Sequence, residues 1–361
     1  MTKVFFYPHA YLRDRQIDVI CRWPNEQVIN KNIVDGRRGA QVTAEYANSK
    51  KLCATWKQRL PLLNIKFRPK GISSSVVVYV WGAIIATGNF IVDLDNPWSM
   101  VGYNLRAMPI YRRFIKRVLL SNRCREIRCM SGACRNSLRE LFGEQVYDKA
   151  GVHYPCIAQR VSSVRMSTGG ICRFLFVGTQ FEIKGGVAML RAFSRVYEKH
   201  GGCRLDVITH LPVELDMLAR SCEGVKIHAA QYSREEIQTH YMQNADVLVL
   251  PTYVESFGMV ALEALANGLA LIVTDVYALG EMAIDGVNGN LLSPPISVWD
   301  GVMPSSYYYD LSNIKMRIRS TDQSNFELCL EQAIERFVTD PSWKLRARKA
   351  SIKLMENRFA C

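Results

Sequence analysis

The sequence lacks any pair of cysteines separated by two residues, although 11 of its 361 residues are cysteine. This scatter differs from the regular spacing of disulfide frameworks and zinc sites. In the opening stretch, MTKVFFYPHAYLRDRQ, polar and charged side chains come directly after a short apolar run, which is not expected of a cleavable secretory leader. Together these features predict free thiols in the reducing cytosol.

Long hydrophobic runs are also missing. The longest apolar stretch, VVVYVWGAIIATGNFIV, begins at Val76 and is interrupted by Gly82, Gly88 and Asn89. A membrane-spanning helix needs about 20 predominantly apolar residues, so this stretch is too short and too broken. We interpret it as strands of a hydrophobic core.

Acidic residues are outnumbered: 33 acidic residues face 46 basic ones, for a net charge of +13. The excess is concentrated in residues 101–140, where only Glu126 and Glu140 oppose ten arginines and lysines. These ten are Arg106, Arg112, Arg113, Lys116, Arg117, Arg123, Arg125, Arg128, Arg135 and Arg139. Apolar residues recur among them at helical spacing, namely Ile110, Phe114, Ile115, Val118 and Leu119. The pattern predicts a basic amphipathic helix over residues 111–120.

Three interpretations of this basic helix remain open. A solvated surface is the usual explanation of a charge run, and an anionic membrane surface is the functional interpretation that we prefer. Nucleic acid comes third, because no zinc-type or aromatic-interleaved motif accompanies the charge. We therefore expect an anionic membrane surface as partner, and no nucleic acid.

The second half of the chain alternates strands and helices. RFLFVGT, CRLDVIT, ADVLVLP and LALIVTDV are short apolar runs typical of strands buried on both faces. KGGVAMLRAFSRVYEKHGG is a predicted helix that ends at Gly201, and in SREEIQTHYMQN the spacing of Ser233 and Glu236 is that of a capping box. Strands alternating with helices predict an α/β fold with a parallel, doubly wound sheet.

The first half is less regular. VVVYVWG, NFIVDLD and EIRCMSG are predicted strands, and ACRNSLRELFG is a predicted helix. A segment rich in serine and glycine, residues 156–170, is the predicted linker. The expected domains are residues 1–160 and 170–340, followed by a C-terminal helix, 341–361, that packs back toward the first domain.

The stretch ESFGMVALEALANG carries two carboxylates, Glu255 and Glu263. If residues 260–266 are helical, the carboxylates lie about 12 Å apart, close to the span from the sugar to the ribose of a nucleotide sugar. The amides near Phe257, Gly258 and Met259 would then face a diphosphate at the positive end of the helix dipole. Each carboxylate could accept hydrogen bonds from a vicinal diol.

These residues resemble the hallmark of glycosyltransferase family 4. PTYVESFGMVALEALANGLALIVTDV is similar to that family's motif of two glutamates, and FVGTQFEIKGG is similar to its phosphate-binding loop. In the first half, IVDLDNPWSMVGYN and CMSGACRNSLRELFG resemble the acceptor domain of some members. The resemblance implies the GT-B architecture, in which two Rossmann-like, doubly wound domains face each other across a cleft.

The resemblance also implies roles for individual residues. Glu255 would contact the transferred sugar, Glu263 the ribose and Lys184 the diphosphate. The implied donor site comprises Gly178, Lys184, Gly185, Ser256, Phe257, Gly258, Met259 and Glu263. The arginine usual after the first glycine of the loop is replaced by Thr179, so another cation, such as Arg173 or Arg191, would be needed, or the phosphates are neutralised more weakly. Asp95 and Asn96 either form a turn or line the acceptor cleft.

The resemblance further implies retention of configuration at the anomeric carbon. No carboxylate is placed to act as a nucleophile, which favours front-face substitution with the leaving diphosphate accepting the proton. The nearest form of a metal-binding Asp-x-Asp motif, at residues 93–95, lies in a predicted strand. We therefore expect turnover of a nucleotide-diphosphate sugar without a metal or another cofactor.

The sequence thus predicts a retaining glycosyltransferase acting on a glycan or lipid-linked acceptor, as in bacterial surface polysaccharide or glycolipid synthesis. Its predicted location is the cytoplasm, peripherally on the inner face of the membrane. Two alternatives stay open: a GT-B nucleotide-sugar epimerase, which would act without an acceptor, and a non-catalytic basic module that binds membrane or nucleic acid.

Overall fold

A computed structural model describes residues 2–7, 12–31, 60–164, 170–308 and 310–359. Five residues of the predicted linker, 165–169, and the last two of the predicted C-terminal helix lie outside these ranges. The chain divides into two units, Met1–Cys156 and Ile157–Cys361. Within the described ranges, no helix combines the length and the apolar character needed to cross a bilayer.

The first unit is built on a five-stranded parallel sheet with the strand order β1-β3-β5-β6-β7. A second, two-stranded sheet pairs β2 with β4. The strands are β1 Val4–Tyr7, β2 Ile65–Lys66, β3 Val77–Trp81, β4 Ile84–Ile85, β5 Phe90–Leu94, β6 Cys124–Cys129 and β7 Ala150–Val152. The helices are α1 Asp14–Arg22, α2 Ala107–Leu120, α3 Gly132–Phe142 and α4 Glu144–Lys149. The three strands and the helix predicted for this half are confirmed.

The predicted basic helix is confirmed as α2, but its exposed face differs from the expected one. Of the apolar residues in the helical pattern, Ile115 and Leu119 are fully buried, so neither can enter a membrane. The exposed apolar side chains are Ile110, at 62% exposure, and Phe114, at 46%. Because these two are four residues apart, they lie on one face of the helix.

The second unit contains a six-stranded parallel sheet with the order β10-β9-β8-β11-β12-β13. Its strands are β8 Cys172–Gln180, β9 Cys203–His210, β10 Val225–Ala229, β11 Val247–Leu250, β12 Ala270–Thr274 and β13 Gly289–Leu292, and a hairpin pairs β14 Trp299–Asp300 with β15 Met303–Pro304. The helices are α5 Gly186–His200, α6 Asp216–Ser221, α7 Arg234–Glu236, α8 Met259–Ala266, α9 Leu311–Ser320, α10 Ser324–Thr339 and α11 Pro341–Leu354. The predicted alternation is confirmed, with α8 as the crossover between β11 and β12.

The strand order of this sheet reverses between β8 and β11. The chain starts at β8, moves outward to β10, and returns to pair β11 with β8, with Val247 opposite Phe174. Ligands of doubly wound sheets bind outside the carboxyl ends of the strands at such a reversal. A ligand-binding site is therefore expected at the loops after β8 and β11.

One segment of this unit differs from the sequence pattern. The capping box of Ser233 and Glu236 is present, but α7 is only three residues long and continues as wider and then tighter turns, Ile237–Tyr241 and Met242–Asn244. Local spacing identified the cap, which depends on neighbouring residues, but could not give the type of turn that follows it.

The C-terminal helix α11 is anchored in its own unit by a buried ion pair. Arg348 Nη1 lies 2.6 Å from Asp246 Oδ1, and its Nε donates to the carbonyl of Gly268. The other carboxylate oxygen of Asp246 accepts from the backbone N–H of Arg173 at 3.0 Å. The helix therefore packs at the end of the sheet where strands β8, β11 and β12 begin. Its predicted packing toward the first unit stays a prediction.

Among the described residues, eight cysteines carry free thiols, as predicted from the sequence: Cys21, Cys124, Cys129, Cys134, Cys172, Cys203, Cys222 and Cys329. Cys156 is different, because its sulfur is in a disulfide bond, and the expectation of free thiols is wrong at this position. Disulfide formation requires two sulfurs to be about 2 Å apart, which depends on tertiary structure rather than on spacing along the chain.

Helices α5 and α10 are joined by a ladder of ion pairs. Glu331 lies at its centre and is bound by Arg195, at 2.6 Å, and by Lys199. These hydrogen bonds, first to Lys199 and then to Arg195, hold the pKa of Glu331 below its ordinary value. On one side of it Arg191 binds Glu327, and on the other His200 binds Glu335.

We expect Glu331→Gln to lower the free energy of unfolding of the second unit by about 0.5–1 kcal/mol at neutral pH. Because the folded-state pKa of Glu331 is depressed, its contribution is present above the unfolded pKa and is lost as the pH falls through the folded value. Urea denaturation of both proteins at pH 7 and at lower pH measures this. The exposed Glu198→Gln on the partner helix α5 is the control, and equal differences at all pH values would contradict the assignment.

The loop that leads from β8 into α5 makes a close backbone approach. Gly185 has a φ of +79°, and a Cβ at this position would lie 2.0 Å from the carbonyl oxygen of Pro251 in the loop after β11. Gly201, at the other end of α5, also has a positive φ, of +57°, but a Cβ there would have no atom within 4 Å. Only glycine fits at residue 185 for both reasons.

The two glycines therefore give a matched pair of substitutions. We expect Gly201→Ala to cost only backbone strain, about 1–3 kcal/mol, because its φ of +57° and ψ of −145° are rarely adopted by residues other than glycine. Gly185→Ala should cost several kcal/mol, because strain and a backbone clash add to each other. Thermal unfolding of both variants compares the two costs. Similar losses of stability would show that Pro251 does not constrain the glycine loop.

Candidate functional site

Two loops meet at the carboxyl ends of β8 and β11. The loop after β8 contains Lys184, and the loop after β11 contains Glu255. They are joined through the backbone N–H of Tyr253, which donates to the carbonyl of Ile183 at 3.0 Å. The side chain of Lys184 adds a second link, because its Nζ donates to the carbonyl of Val254 at 2.9 Å.

Lys184 and Glu255 form an ion pair at this junction. Lys184 Nζ lies 2.8 Å from Glu255 Oε2, and the side chains are 21% and 19% exposed. Glu255 Oε1 accepts a hydrogen bond from the N–H of Ser256 at 3.0 Å, which fixes the carboxylate. The structure thus brings together two residues that are 71 positions apart in sequence and that the sequence assigned to one site.

Helix α8 begins directly after this carboxylate. Gly258 precedes its first residue with a φ of +92°, and a Cβ there would lie 2.4 Å from Leu279. Phe257 is buried and anchors the turn, and Met259 is the first helical residue. The amides at the start of a helix have no intrahelical acceptor and point toward ligand at the positive end of the dipole. This end of α8 therefore suits an anionic group.

The second carboxylate of the motif, Glu263, is also held by a cation. Arg234 Nε lies 2.6 Å from Glu263 Oε1, and the side chains are 18% and 10% exposed. Arg234 is the first residue of α7, whose start is fixed by the Ser233 cap. Sequence reasoning missed Arg234, because nothing in the local pattern connects it with a residue 29 positions away.

An aromatic cluster supports the loop of Glu255 from the other side. Trp299 Nε1 donates to the backbone carbonyl of Glu255 at 3.1 Å. The Trp299 ring stacks on Tyr277, with centroids 4.0 Å apart and planes at 15°, and also contacts Tyr308. Tyr277 has a φ of +53°, which is uncommon for a residue with a side chain. Apart from the aromatic residues themselves, no local pattern in the sequence indicates this cluster.

The other cations considered from sequence lie elsewhere. Arg173 is at the amino-terminal end of β8, five residues and about 16 Å of extended strand from Gly178. Arg191 is on α5 and pairs with Glu327. Gly178 follows the buried residues Phe174 to Phe176 of β8, and its carbonyl accepts from the hydroxyl of Thr209 at 2.6 Å.

Asp95 and Asn96 follow β5 in the first unit. Asn96 is fully buried and caps the short helix Pro97–Val101, with its Oδ1 accepting from the N–H of Trp98 at 3.1 Å. Asp95 accepts from the hydroxyl of Tyr103 at 3.2 Å, and burial raises its pKa, an effect that Arg15 opposes. These contacts form a turn, while the role of the two residues in an acceptor cleft stays a prediction.

Groups of three or more His, Cys, Asp or Glu side chains that could hold a metal ion do not occur among the described residues. The charged groups that the structure assembles are the Lys184–Glu255 pair, whose carboxylate precedes α8, and the Arg234–Glu263 pair, whose carboxylate lies in the second turn of α8. Such an arrangement can bind an anion between two hydroxyl-binding carboxylates.

Comparison with known proteins gives the following relatives. Residues 172–300 match the family described as Glycosyl transferases group 1. Glycogen synthase of Mycobacterium tuberculosis is 26% identical over 168 residues, which cover 45% of this chain and 41% of the relative. D-inositol 3-phosphate glycosyltransferase of Corynebacterium kroppenstedtii is 30% identical over 128 residues, which cover 32% of this chain and 28% of the relative. The chain thus spans less than half of either relative.

A solved structure extends the comparison of the fold to the whole chain. The crystal structure of the Anabaena protein HepE in complex with UDP is similar with a TM-score of 0.61, over 100% of this chain and 96% of that chain, at 12% sequence identity. Both units are α/β with parallel sheets, as in the Rossmann-like pair of that architecture. Residues 172–300 thus match the glycosyl transferases group 1 family, in a chain with the GT-B fold.

Proposed function

We propose that the chain is a retaining glycosyltransferase that moves a sugar from a nucleotide-diphosphate sugar to a hydroxyl group of a glycan or lipid-linked acceptor. The observation that carries this proposal is the pair of carboxylates, Glu255 and Glu263. Each is bound by a cation, one just before α8 and the other in its second turn. They lie in the segment that matches the glycosyltransferase family. HepE has also been crystallised with UDP and glucose, which supports a UDP-sugar as donor.

The second unit is assigned to the donor. The first amides of α8 face the diphosphate, Glu263 accepts hydrogen bonds from the ribose hydroxyls, and Glu255 accepts them from the transferred sugar. Lys184 lies beside Glu255, so its ammonium group is available to the phosphate nearest the sugar. The first unit is assigned to the acceptor, with Asp95 and Asn96 near its binding site.

The reaction proposed is front-face substitution. The bond between the anomeric carbon and the diphosphate oxygen breaks, and the acceptor oxygen forms the new bond on the same face of the sugar. The acceptor proton passes to the departing diphosphate oxygen, so configuration is retained. Negative charge that develops on the diphosphate is stabilised by Lys184 and by the amino terminus of α8, without a metal ion.

The first unit supports a proposal about location. On α2, Arg113 and Arg117 are exposed on the surface that also presents Ile110 and Phe114. Apolar side chains that enter the headgroup region, flanked by cations that attract anionic lipid, are typical of interfacial helices. We place the enzyme peripherally on the cytoplasmic face of a membrane, where a lipid-linked acceptor would be presented.

The two carboxylates should have separable effects. We expect Glu263→Ala to weaken the binding of free nucleoside diphosphate by about 10- to 100-fold, because a charged hydrogen bond is worth about 1.5–3 kcal/mol. Glu255→Ala should leave that affinity almost unchanged and lower turnover of the sugar donor. Calorimetry with the nucleoside diphosphate and release of nucleotide from the donor measure the two effects. Equal losses of nucleotide affinity would refute the assignment.

Membrane association should depend on the exposed face of α2. We expect the protein to sediment with anionic vesicles at low salt, and the double variant Arg113→Gln/Arg117→Gln to bind about 30-fold more weakly, since each cation contributes about 1 kcal/mol. The exposed Lys349→Gln/Lys353→Gln pair on α11 removes the same charge from the second unit and is the control. Equal losses in both double variants, or no sedimentation of the unmodified protein, would exclude this surface.

A further inference from the structure

The phosphate-binding loop of the donor site supplies only one cation. Its charged residues are Glu182 and Lys184, and Glu182 is buried and bound by Arg319 and Lys315 of α9. Lys184 is paired with Glu255. Thr179, where the sequence pattern called for an arginine, carries no charge. The loop therefore leaves a diphosphate poorly neutralised.

Arg234 brings the missing charge from another strand end. It follows β10, three positions along the sheet from β11, and its guanidinium lies against Glu263 at 2.6 Å. Glu263 is four residues beyond Met259, one helical turn or about 6 Å along the axis of α8. The guanidinium is thus placed about one turn from the amides that face the diphosphate.

The charge balance of the site favours a role beyond holding Glu263. With Lys184 alone against Glu255 and Glu263, the site carries one net negative charge before an anionic nucleotide arrives. Arg234 brings this sum to zero. Its planar guanidinium group has five N–H donors, so it can donate to the Glu263 carboxylate and to a phosphate oxygen at the same time.

We propose that Arg234 is the second cation of the donor site and binds the phosphate nearest the ribose. The assignment rests on the proposed function. In this arrangement Glu263 receives the ribose hydroxyls on one side and orients the guanidinium on the other. Lys184 binds the phosphate nearest the sugar, so the two phosphates are held from opposite ends by cations of two different loops.

Phosphate dependence distinguishes this role from a merely structural one. If Arg234 only positions Glu263, replacing it lowers the affinity for every ligand that carries a ribose, with or without phosphate. If Arg234 binds phosphate, the decrease in affinity is larger for the nucleotides than for the nucleoside. The useful variants are Arg234→Gln, which removes the charge, and Arg234→Lys, which keeps the charge but not the fork.

The matched control is Arg160→Gln. Arg160 binds Glu235, the neighbour of Arg234 in the same short helix, through two contacts of 3.0 and 2.6 Å. This variant therefore removes one positive charge and one ion pair from the same turn without touching Glu263. Circular dichroism and thermal unfolding of every variant establish that the second unit is folded.

The experiment is calorimetric titration of the full chain with uridine, UMP and UDP, preceded by a test of UDP, GDP and ADP on the unmodified protein. If another base binds better, its nucleoside, monophosphate and diphosphate replace the uridine series. We expect Arg234→Gln to lower the affinity for the nucleoside diphosphate by about 10- to 100-fold and the affinity for the nucleoside by less than about threefold. Arg234→Lys should recover part of the loss, and Arg160→Gln should bind all three ligands normally.

Two results would overturn the proposal, and they separate it from the proposed function. One is an equal loss of affinity for nucleoside and diphosphate in Arg234→Gln, or a loss of diphosphate affinity in Arg160→Gln as large as that in Arg234→Gln. Either would show that Arg234 does not bind phosphate, while the assignment of the donor site would be unaffected. Failure of all three nucleoside diphosphates to bind the unmodified protein would instead refute the donor site, and the role of Arg234 with it.

Discussion

The approach of the Gly185 backbone to the carbonyl of Pro251 is the contact on which the donor site depends. It sets the distance between the loops after β8 and β11, which are adjacent only because the strand order reverses there. Lys184 precedes Gly185, so its reach to Val254 and Glu255 follows from that distance. A side chain at residue 185 would move the ammonium group and the start of α5 together.

The charged residues of the site are already paired without ligand. Lys184 is held by Glu255 and Arg234 by Glu263, at 2.8 and 2.6 Å. Partly buried charges need such partners, because an unpaired charge loses its hydration on burial. The same pairs keep the four side chains in defined rotamers, so little side-chain entropy remains to be lost when a ligand arrives. Trp299 extends this order to the backbone, since it holds the carbonyl of Glu255.

The sequence predicted those parts of the fold that depend on local pattern. The parallel strands of the second unit, the crossover α8 and the cap at Ser233 follow from apolar runs and from spacings of a few residues. The family motif added Lys184 and Glu255, which the structure places in contact. The Arg234–Glu263 pair and the Trp299 contact could not be predicted, because they join residues 29 and 44 positions apart whose neighbours carry no signature. The exposed side of α2 was predicted only in part, since periodicity does not tell which of its apolar side chains are buried and which stay exposed.

The buried carboxylate of Asp246 links the beginning and the end of the second unit. It accepts from the backbone of Arg173 in the first strand of that unit and from Arg348 in its last helix. Arg173 and Arg348 are 175 residues apart (348 − 173), so during synthesis Arg348 emerges well after Arg173. At about 5–20 residues per second, that separation lasts roughly 9–35 s on the ribosome. Until α11 emerges, Asp246 lacks both of its cationic partners, Arg348 and Lys344, and a carboxylate in the core is costly without such a partner. Docking of α11 is therefore the step that completes this buried charge cluster.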